Sequence, residues 1–343
     1  MIRWFAPLVP ILATLLVACA PAPAQGRDWR PFPPLTTLQI GAPDGAGIVA
    51  VSALTASDTL GHVTVVTFDR SRNAWARPAV ASAAATAAES APRLDQVIVF
   101  EGGLFDQYAG KTSVDLGQGF TLAKRDTGYA LLENGEDRGW PAVTEDEVER
   151  WGDEVRLGLP REFPEDRVMQ LFSTGRLRNV PGPAVVTDDA VWFGLVGGFS
   201  GGDGQLGGVA VYDRAHHTFR VLRHKFMVDA AVTRLLVAGD DVWIGTGRYG
   251  PIQLEGMRGL VLLRPKRREW RQFSPDNSRI SGHLIFDLAL DNGTLWATTN
   301  QGVSRYDTSR RLWTSWYWHP APDGSGFELT DKLPGDLAEE LIR

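Results

Sequence analysis

Asp291-Asn292-Gly293-Thr294-Leu295-Trp296-Ala297-Thr298, followed by Gly302-Val303-Ser304-Arg305-Tyr306-Asp307 and then Leu312-Trp313, decides how this chain is read. Two upstream segments repeat it. Asp240-Asp241-Val242-Trp243-Ile244-Gly245-Thr246 leads to Gly259-Leu260-Val261-Leu262-Leu263 and Glu269-Trp270. Before that, Asp188-Asp189-Ala190-Val191-Trp192-Phe193-Gly194 leads to Gly208-Val209-Ala210-Val211-Tyr212-Asp213 and Phe219. Trp192, Trp243 and Trp296 stand 51 and 53 residues apart. A period of that size marks an architecture of successive small units that bury their faces against one another.

Each unit reads as four short strands, because the apolar runs are brief, β-branched and bounded by Asp, Asn and Gly. In the last unit they are 285–290, 295–298, 303–306 and 312–316. The Asp/Asn/Gly cluster before each Trp predicts a tight turn with φ > 0 between the first two strands. The Trp of the second strand offers a wide ring to fill the wedge between neighbouring sheets. The Gly opening the third strand is expected to let the backbone turn sharply with no Cβ in the way.

This pattern resembles the two-component regulator propeller repeat. The resemblance is close over 284–318, fair over 231–274 and 183–222, and thin over His62–Asp69 and Trp75, where only third and fourth strands are kept. It implies an all-β fold, a β-propeller of four-stranded blades. At ~40–50 residues per blade, the domain at 36–343 would hold roughly six or seven, the N-terminal ones degenerate. Further strands are expected around 97–100, 120–124, 129–132 and 168–172, a short helix at 145–151, and a closing strand or small helix at the C-terminus. An all-β sandwich pair is the alternative.

The N-terminus carries an address. Arg3, the apolar run from Trp4 to Val17 and the sequence Leu16-Val17-Ala18-Cys19 resemble a bacterial lipoprotein signal. That resemblance implies a signal peptide at 1–18, diacylglycerol on the Cys19 thiol and acylation of the new N-terminus, enough for stable anchoring. An ordinary secretory signal cut near Ala22 or Ala24 is the alternative. Residues 19–35, rich in Pro and Ala, read as an extended tether. Ala20 lacks the Asp that retains lipoproteins at the inner membrane, so an outer-membrane, extracytoplasmic address is favoured in a Gram-negative cell. Cys19 is the only cysteine. Once it is lipidated, neither a disulfide nor a Cys zinc site can hold the fold.

The formal charge is -6, from 35 Lys and Arg against 41 Asp and Glu. Such a surface does not draw nucleic acid by long-range attraction. Three short patterns suggest enzymes and fail on register. Gly245-Thr246-Gly247-Arg248-Tyr249-Gly250 fits G-x-G-x-x-G, but Pro251 and a new strand follow where a helix is needed. Gly198-Phe199-Ser200-Gly201-Gly202 fits G-x-S-x-G, yet the glycines at 201, 202, 204, 207 and 208 forbid the helix of a nucleophile elbow and suit a hairpin tip. Gly110-Lys111-Thr112 lacks the spacing of a phosphate loop. The six histidines show no zinc-binding spacing, and no metal or cofactor is expected. Trp313, Trp316, Tyr317 and Trp318 read either as a stacking platform for sugar rings or, preferably, as packing between sheets.

One irregularity points to a site. Trp296 to Gly302 spans 6 residues, whereas Trp192 to Gly208 and Trp243 to Gly259 each span 16. Two adjacent units therefore lengthen the same hairpin, between second and third strands, on the face where ligands of propellers usually bind. The two tips carry Phe199, Ser200, Asp203 and Gln205, and Arg248, Tyr249, Gln253 and Glu255. Aromatic, amide and charged groups together suit recognition of a polar ligand. The expectation is a membrane-anchored binding or scaffold propeller without catalysis, its partner an envelope protein or a glycan. The alternative is a polysaccharide-active hydrolase or lyase with its site at the channel mouth.

Overall fold

The structure is a computed structural model that describes residues 35–40, 48–55, 62–69, 72–76, 112–157, 177–200, 203–228, 230–247, 258–320 and 327–333. All lie within one compact unit, Pro33–Arg343. Cys19 and the expected strands at 97–100 and 168–172 fall outside the described residues.

Leu35–Ile40 (β1), Ile48–Thr55 (β2), His62–Asp69 (β3) and Ala74–Ala76 (β4) form sheet I. Ser113–Gly117 (β5), Phe120–Arg125 (β6), Gly128–Glu133 (β7) and Glu136–Asp137 (β8) form sheet II, and helix α1, Glu145–Leu157, follows it. Next come Val180–Val186 (β9), Ala190–Val196 (β10), Gly198–Ser200 (β11), Asp203–Gln205 (β12), Gly208–Asp213 (β13) and Thr218–Leu222 (β14). Here β9, β10, β13 and β14 make sheet III, and β11 pairs with β12 as a separate ribbon. Sheet IV is Ala231–Ala238 (β15), Asp241–Gly247 (β16), Leu260–Arg264 (β17) and Glu269–Phe273 (β18). Sheet V is Ile285–Asp291 (β19), Thr294–Thr299 (β20), Gly302–Asp307 (β21), Leu312–Pro320 (β22) and Phe327–Thr330 (β23), the last an added fifth strand. Among the described residues the fold is thus all-β and propeller-like: five antiparallel meanders in succession, with one α-helix between the second and third.

The three tryptophans occupy equivalent places. Trp192 pairs with Val211, Trp243 with Leu262 and Trp296 with Arg305, each from the second strand to the third. Because side chains alternate along a strand, each sheet has two different faces. Trp192 packs among residues of sheet IV, while Val191 and Phe193 pack on sheet II. Trp243 packs against sheet V, and Val242 and Ile244 turn back to sheet III. Trp296 packs against Val66 and Phe68 of sheet I, while Leu295 and Ala297 face sheet IV. The sheets therefore stack in the order II, III, IV, V, I, with III, IV and V each sending its Trp forward. A buried Trp removes ~150–250 Å² from water, worth ~4–6 kcal/mol at ~25 cal/mol per Å².

Two expected roles need correction. Positive φ between first and second strands occurs at Asn292 and Gly293 and at Gly239, but Asp188 and Asp189 have none. There Thr187 closes the turn instead, its N–H donating to Ala190 O at 2.8 Å and its hydroxyl to Asp189 Oδ1 at 2.7 Å. The glycines opening the third strands share a close approach more than a sharp turn. Gly208 and Gly259 have positive φ and Gly302 does not, yet a Cβ on any of them would overlap a carbonyl of the fourth strand or its end, that of Leu222, Phe273 or Trp316.

The Tyr-Asp signature is a turn device. Asp213 Oδ1 accepts the N–H groups of Ala215 and His216, and Asp307 Oδ1 those of Ser309 and Arg310. The turn then closes on a left-handed residue directly before the fourth strand: Asn73, His217, Arg268 or Arg311. Helix α1 starts in a capping box, in which the N–H of Glu147 donates to Thr144 Oγ1 and Glu147 Oε2 accepts the N–H of Thr144. Trp316 and Trp318 are buried between sheets V and I, so they are packing residues.

Candidate functional site

In an antiparallel meander the connection between second and third strands lies at the same end as the passage to the next sheet. Hydrogen bonds confirm it here. The N–H of Gly197 donates to Ala230 O and that of Gly207 to Val228 O, both at 3.0 Å, joining the ribbon of sheet III to the passage into sheet IV. In sheet IV, the N–H of Gly259 donates to His283 O at 2.8 Å. This end carries both long hairpins.

The β11–β12 ribbon holds four of the expected site residues: Phe199 pairs with Gly204, Ser200 with Asp203 and Gly198 with Gln205. The strand at 198–200 runs on into a hairpin, not a helix, so no nucleophile elbow forms. Arg248, Tyr249, Gln253 and Glu255 lie outside the described residues. Their hairpin's root does not: Thr246, fully buried, accepts the N–H of Arg258 at 3.2 Å and donates its hydroxyl to Gly259 O at 2.7 Å. Thr299 serves the short turn of sheet V in the same way, accepting the N–H groups of Gln301 and Gly302 at 3.1 Å. This explains the Thr that ends the Trp strand in both units.

Sheet III has Leu195 at that position, and a different device holds its ribbon. Arg223, whose side chain is 2% exposed, donates to Leu206 O at 2.7 Å and to Gly207 O at 2.8 Å. Its Nε donates to Glu147 Oε1 of α1 at 2.8 Å, and its remaining arm to Asn179 Oδ1. Asn179 in turn donates to Pro141 O at 2.9 Å and accepts Trp140 Nε1 at its carbonyl at 2.7 Å. Beneath lies an apolar cluster of Leu177, Leu206 and Val228, with Val143, Val148 and Trp151 against it. Burial lowers the Arg223 pKa, and the hydrogen bond and charge of Glu147 only partly offset it. Nothing in the repeat signalled this clamp, since its partners sit 16 to 76 residues from Arg223.

Two clusters have the ingredients of catalysis without its order. At the ribbon end of sheet IV, Asp276 Oδ2 lies 3.1 Å from His283 Nε2 and accepts Ser274 Oγ at 3.3 Å. The carboxylate sits between serine and histidine, so the histidine does not activate the hydroxyl. At the opposite end, Tyr212 OH donates to Glu133 Oε2 at 3.0 Å and lies 2.8 Å from His217 Nδ1. Arg138 Nε also reaches Glu133 Oε2, at 2.9 Å. Burial, then the bond to Glu133, pushes the Tyr212 pKa up to about 12. Burial alone would raise Glu133, but hydrogen bonds from Tyr212 and Arg138 outweigh it and hold the carboxyl below its ordinary value. Tyr212 is fully buried and its bonds join sheets II and III, while the His217 ring beside it is half exposed. Among the described residues no His/Cys/Asp/Glu group could hold a metal ion, and no helix is long and apolar enough to cross a membrane.

No family model and no curated protein matches the chain. Solved structures resemble it distantly. A GH74 enzyme from Niastella koreensis shares 12% identity at a TM-score of 0.36, over 78% of this chain and 36% of its own. A GH74 xyloglucanase from Xanthomonas campestris shares 15% at 0.34, with the same coverage. The extracellular domain of a one-component system from B. thetaiotaomicron shares 11% at 0.33, over 60% of this chain and 22% of its own. The chain thus spans between 22% and 36% of the length of these structures.

Proposed function

We propose that this chain is a lipid-anchored, extracytoplasmic binding module, a propeller of roughly six or seven blades whose ligand face carries the two long hairpins. The repeat resemblance supports the blade architecture, and the sequence around Cys19 supports the anchor. One observation carries the choice of face: the ribbon at 198–205 is rooted in a buried, charged clamp. A merely ornamental loop has no need of an arginine with four partners at its base, whereas a recognition wall gains affinity from being held in place before its ligand arrives. Binding is preferred to catalysis because the carboxylate, histidine and hydroxyl groupings described above are tied up in structural bonds. The ligand would be a glycan or an envelope protein, reached through Phe199, Asp203 and Gln205 on one wall and Arg248, Tyr249, Gln253 and Glu255 on the other.

The test is a glycan array and an envelope pull-down with the wild-type domain and with Arg248→Ala/Tyr249→Ala and Phe199→Ala/Asp203→Ala variants. Binding should fall by at least tenfold in each while the thermal melt is kept, as expected for residues each worth more than ~1 kcal/mol. Retained binding in both would dismiss the wall. The anchor is tested separately, by incorporation of labelled palmitate that Cys19→Ser abolishes.

A further inference from the structure

The wedge between sheets V and I differs in chemistry from the wedge between III and IV, where the buried residues around Trp192 are aliphatic side chains and Met227, with Phe226 and Trp270 only partly buried against them. Here Phe68 lies 5.1 Å from Trp75, 5.0 Å from Trp296 and 5.1 Å from Trp316, ring centre to ring centre. Trp75 stands edge-on to Trp296 and Trp316 at 5.9 and 5.8 Å. Into this box Arg305 extends its guanidinium, with Cζ 5.6 Å from the Phe68 centroid, 5.9 Å from Trp296 and 5.5 Å from Trp316. Across the ladder Arg305 faces Trp296, as Val211 faces Trp192 and Leu262 faces Trp243. Val211 and Leu262 are buried hydrophobic residues. A cation therefore stands at what is elsewhere a core position. Such a placement is costly unless the lost hydration is replaced, and the negative faces of aromatic rings replace part of it.

The position of this wedge gives it a second meaning. It joins the first described sheet to the last, β1 running beside β19 and β20, and β23 beside β3 and β4. We propose that Arg305 is the cation that locks sheet I onto sheet V, and that sheet I is the unit this clasp releases. Contacts between the ends of a long chain are the last to be rewarded for their loop-closure entropy. A clasp of several simultaneous ring contacts suits that place.

Hydrogen exchange on the full chain tests it, with Arg305→Ala, Arg305→Met and Arg305→Lys beside wild type. Met keeps the volume without the charge, so that variant folds even where Ala does not. In Arg305→Met, exchange of the β2 and β3 amides should rise on the order of 30-fold, the scale of a desolvated cation–aromatic contact, with β16 and β17 unchanged. Arg305→Lys should stay near wild type, and guanidinium chloride at sub-denaturing concentration, unlike sodium chloride, should restore protection in Arg305→Ala. Wild-type protection in Arg305→Met would overturn the proposal. So would a rise shared equally by β2, β3, β16 and β17.

Discussion

Replacing Arg223 by Met tests the rigid ribbon most directly. The substitution keeps much of the side chain's length and apolar stem but removes every donor. It strands two carbonyls, those of Leu206 and Gly207, together with the Asn179 amide oxygen and the Glu147 carboxylate. Breaking a buried pair by deleting one partner costs about 3–5 kcal/mol, because the group left behind is desolvated and unpaired. Glu147 is 22% exposed and also receives the N–H of Thr144, so it rehydrates in part. The lower end, about 3 kcal/mol, is the expected loss. For a domain of this size, at about 2.1 cal/mol/K per residue, that lowers the melting temperature by about 5 °C. Differential scanning calorimetry reads the shift, and hydrogen exchange of the Gly197 and Gly207 amides locates it. Arg223→Met should expose these two before the amides of β10. Glu147→Gln should cost less and couple to Arg223→Met by at least ~1 kcal/mol in a double-mutant cycle. A melt within a degree of wild type, with both glycine amides still protected, would refute the claim that Arg223 holds the ribbon.

Gly302→Ala should cost at least ~2–3 kcal/mol by chemical denaturation, since its Cβ would overlap the Trp316 carbonyl; a loss under ~1 kcal/mol would show that β22 yields easily. Thr298 is fully buried and its hydroxyl has no hydrogen-bond partner among the described residues, so Thr298→Val should be neutral or stabilising by roughly 1 kcal/mol. Marked destabilisation by Val would refute that. Tyr212 binds its proton more tightly folded than unfolded, with a pKa of about 12 against an ordinary 10.0. Its contribution is complete below the unfolded value and is lost as pH rises from there through the folded one. Tyr212→Phe should flatten that alkaline decline in a denaturation series, and an unchanged slope would place the decline elsewhere. Glu133 runs the other way, its contribution present above an ordinary 4.5 and lost as pH falls through its lowered folded value, so Glu133→Gln should blunt acid sensitivity.

The repeat was legible because it is written in local chemistry. Asn292-Gly293, the Trp strands and the Tyr-Asp turns each declare themselves within a few residues, and sheets III, IV and V follow them closely. Sheet I was half visible, through the third and fourth strands at His62–Asp69 and Trp75. Sheet II offered only two apolar runs, at 120–124 and 129–132, with no Trp between them. The fifth strand of sheet V escaped because its partner is β22, reached across a connection without repeat spacing. The place of the ribbon was readable from insertion length alone. What holds it was not: Arg223, Glu147 and Asn179 meet only after folding, and each is unremarkable where it stands in the chain.

The forward-pointing tryptophans give sheets III, IV and V fronts unlike their backs, a polarity with consequences for chains that lose an end. Surfaces that join head to tail terminate only when the last meets the first; otherwise they recruit another molecule. A product lacking residues 1–76 would leave Trp296, Trp316 and Trp318 facing water with no Phe68 or Trp75 to receive them. Such fragments should associate with one another in a concentration-dependent way, whereas the full chain keeps these rings covered.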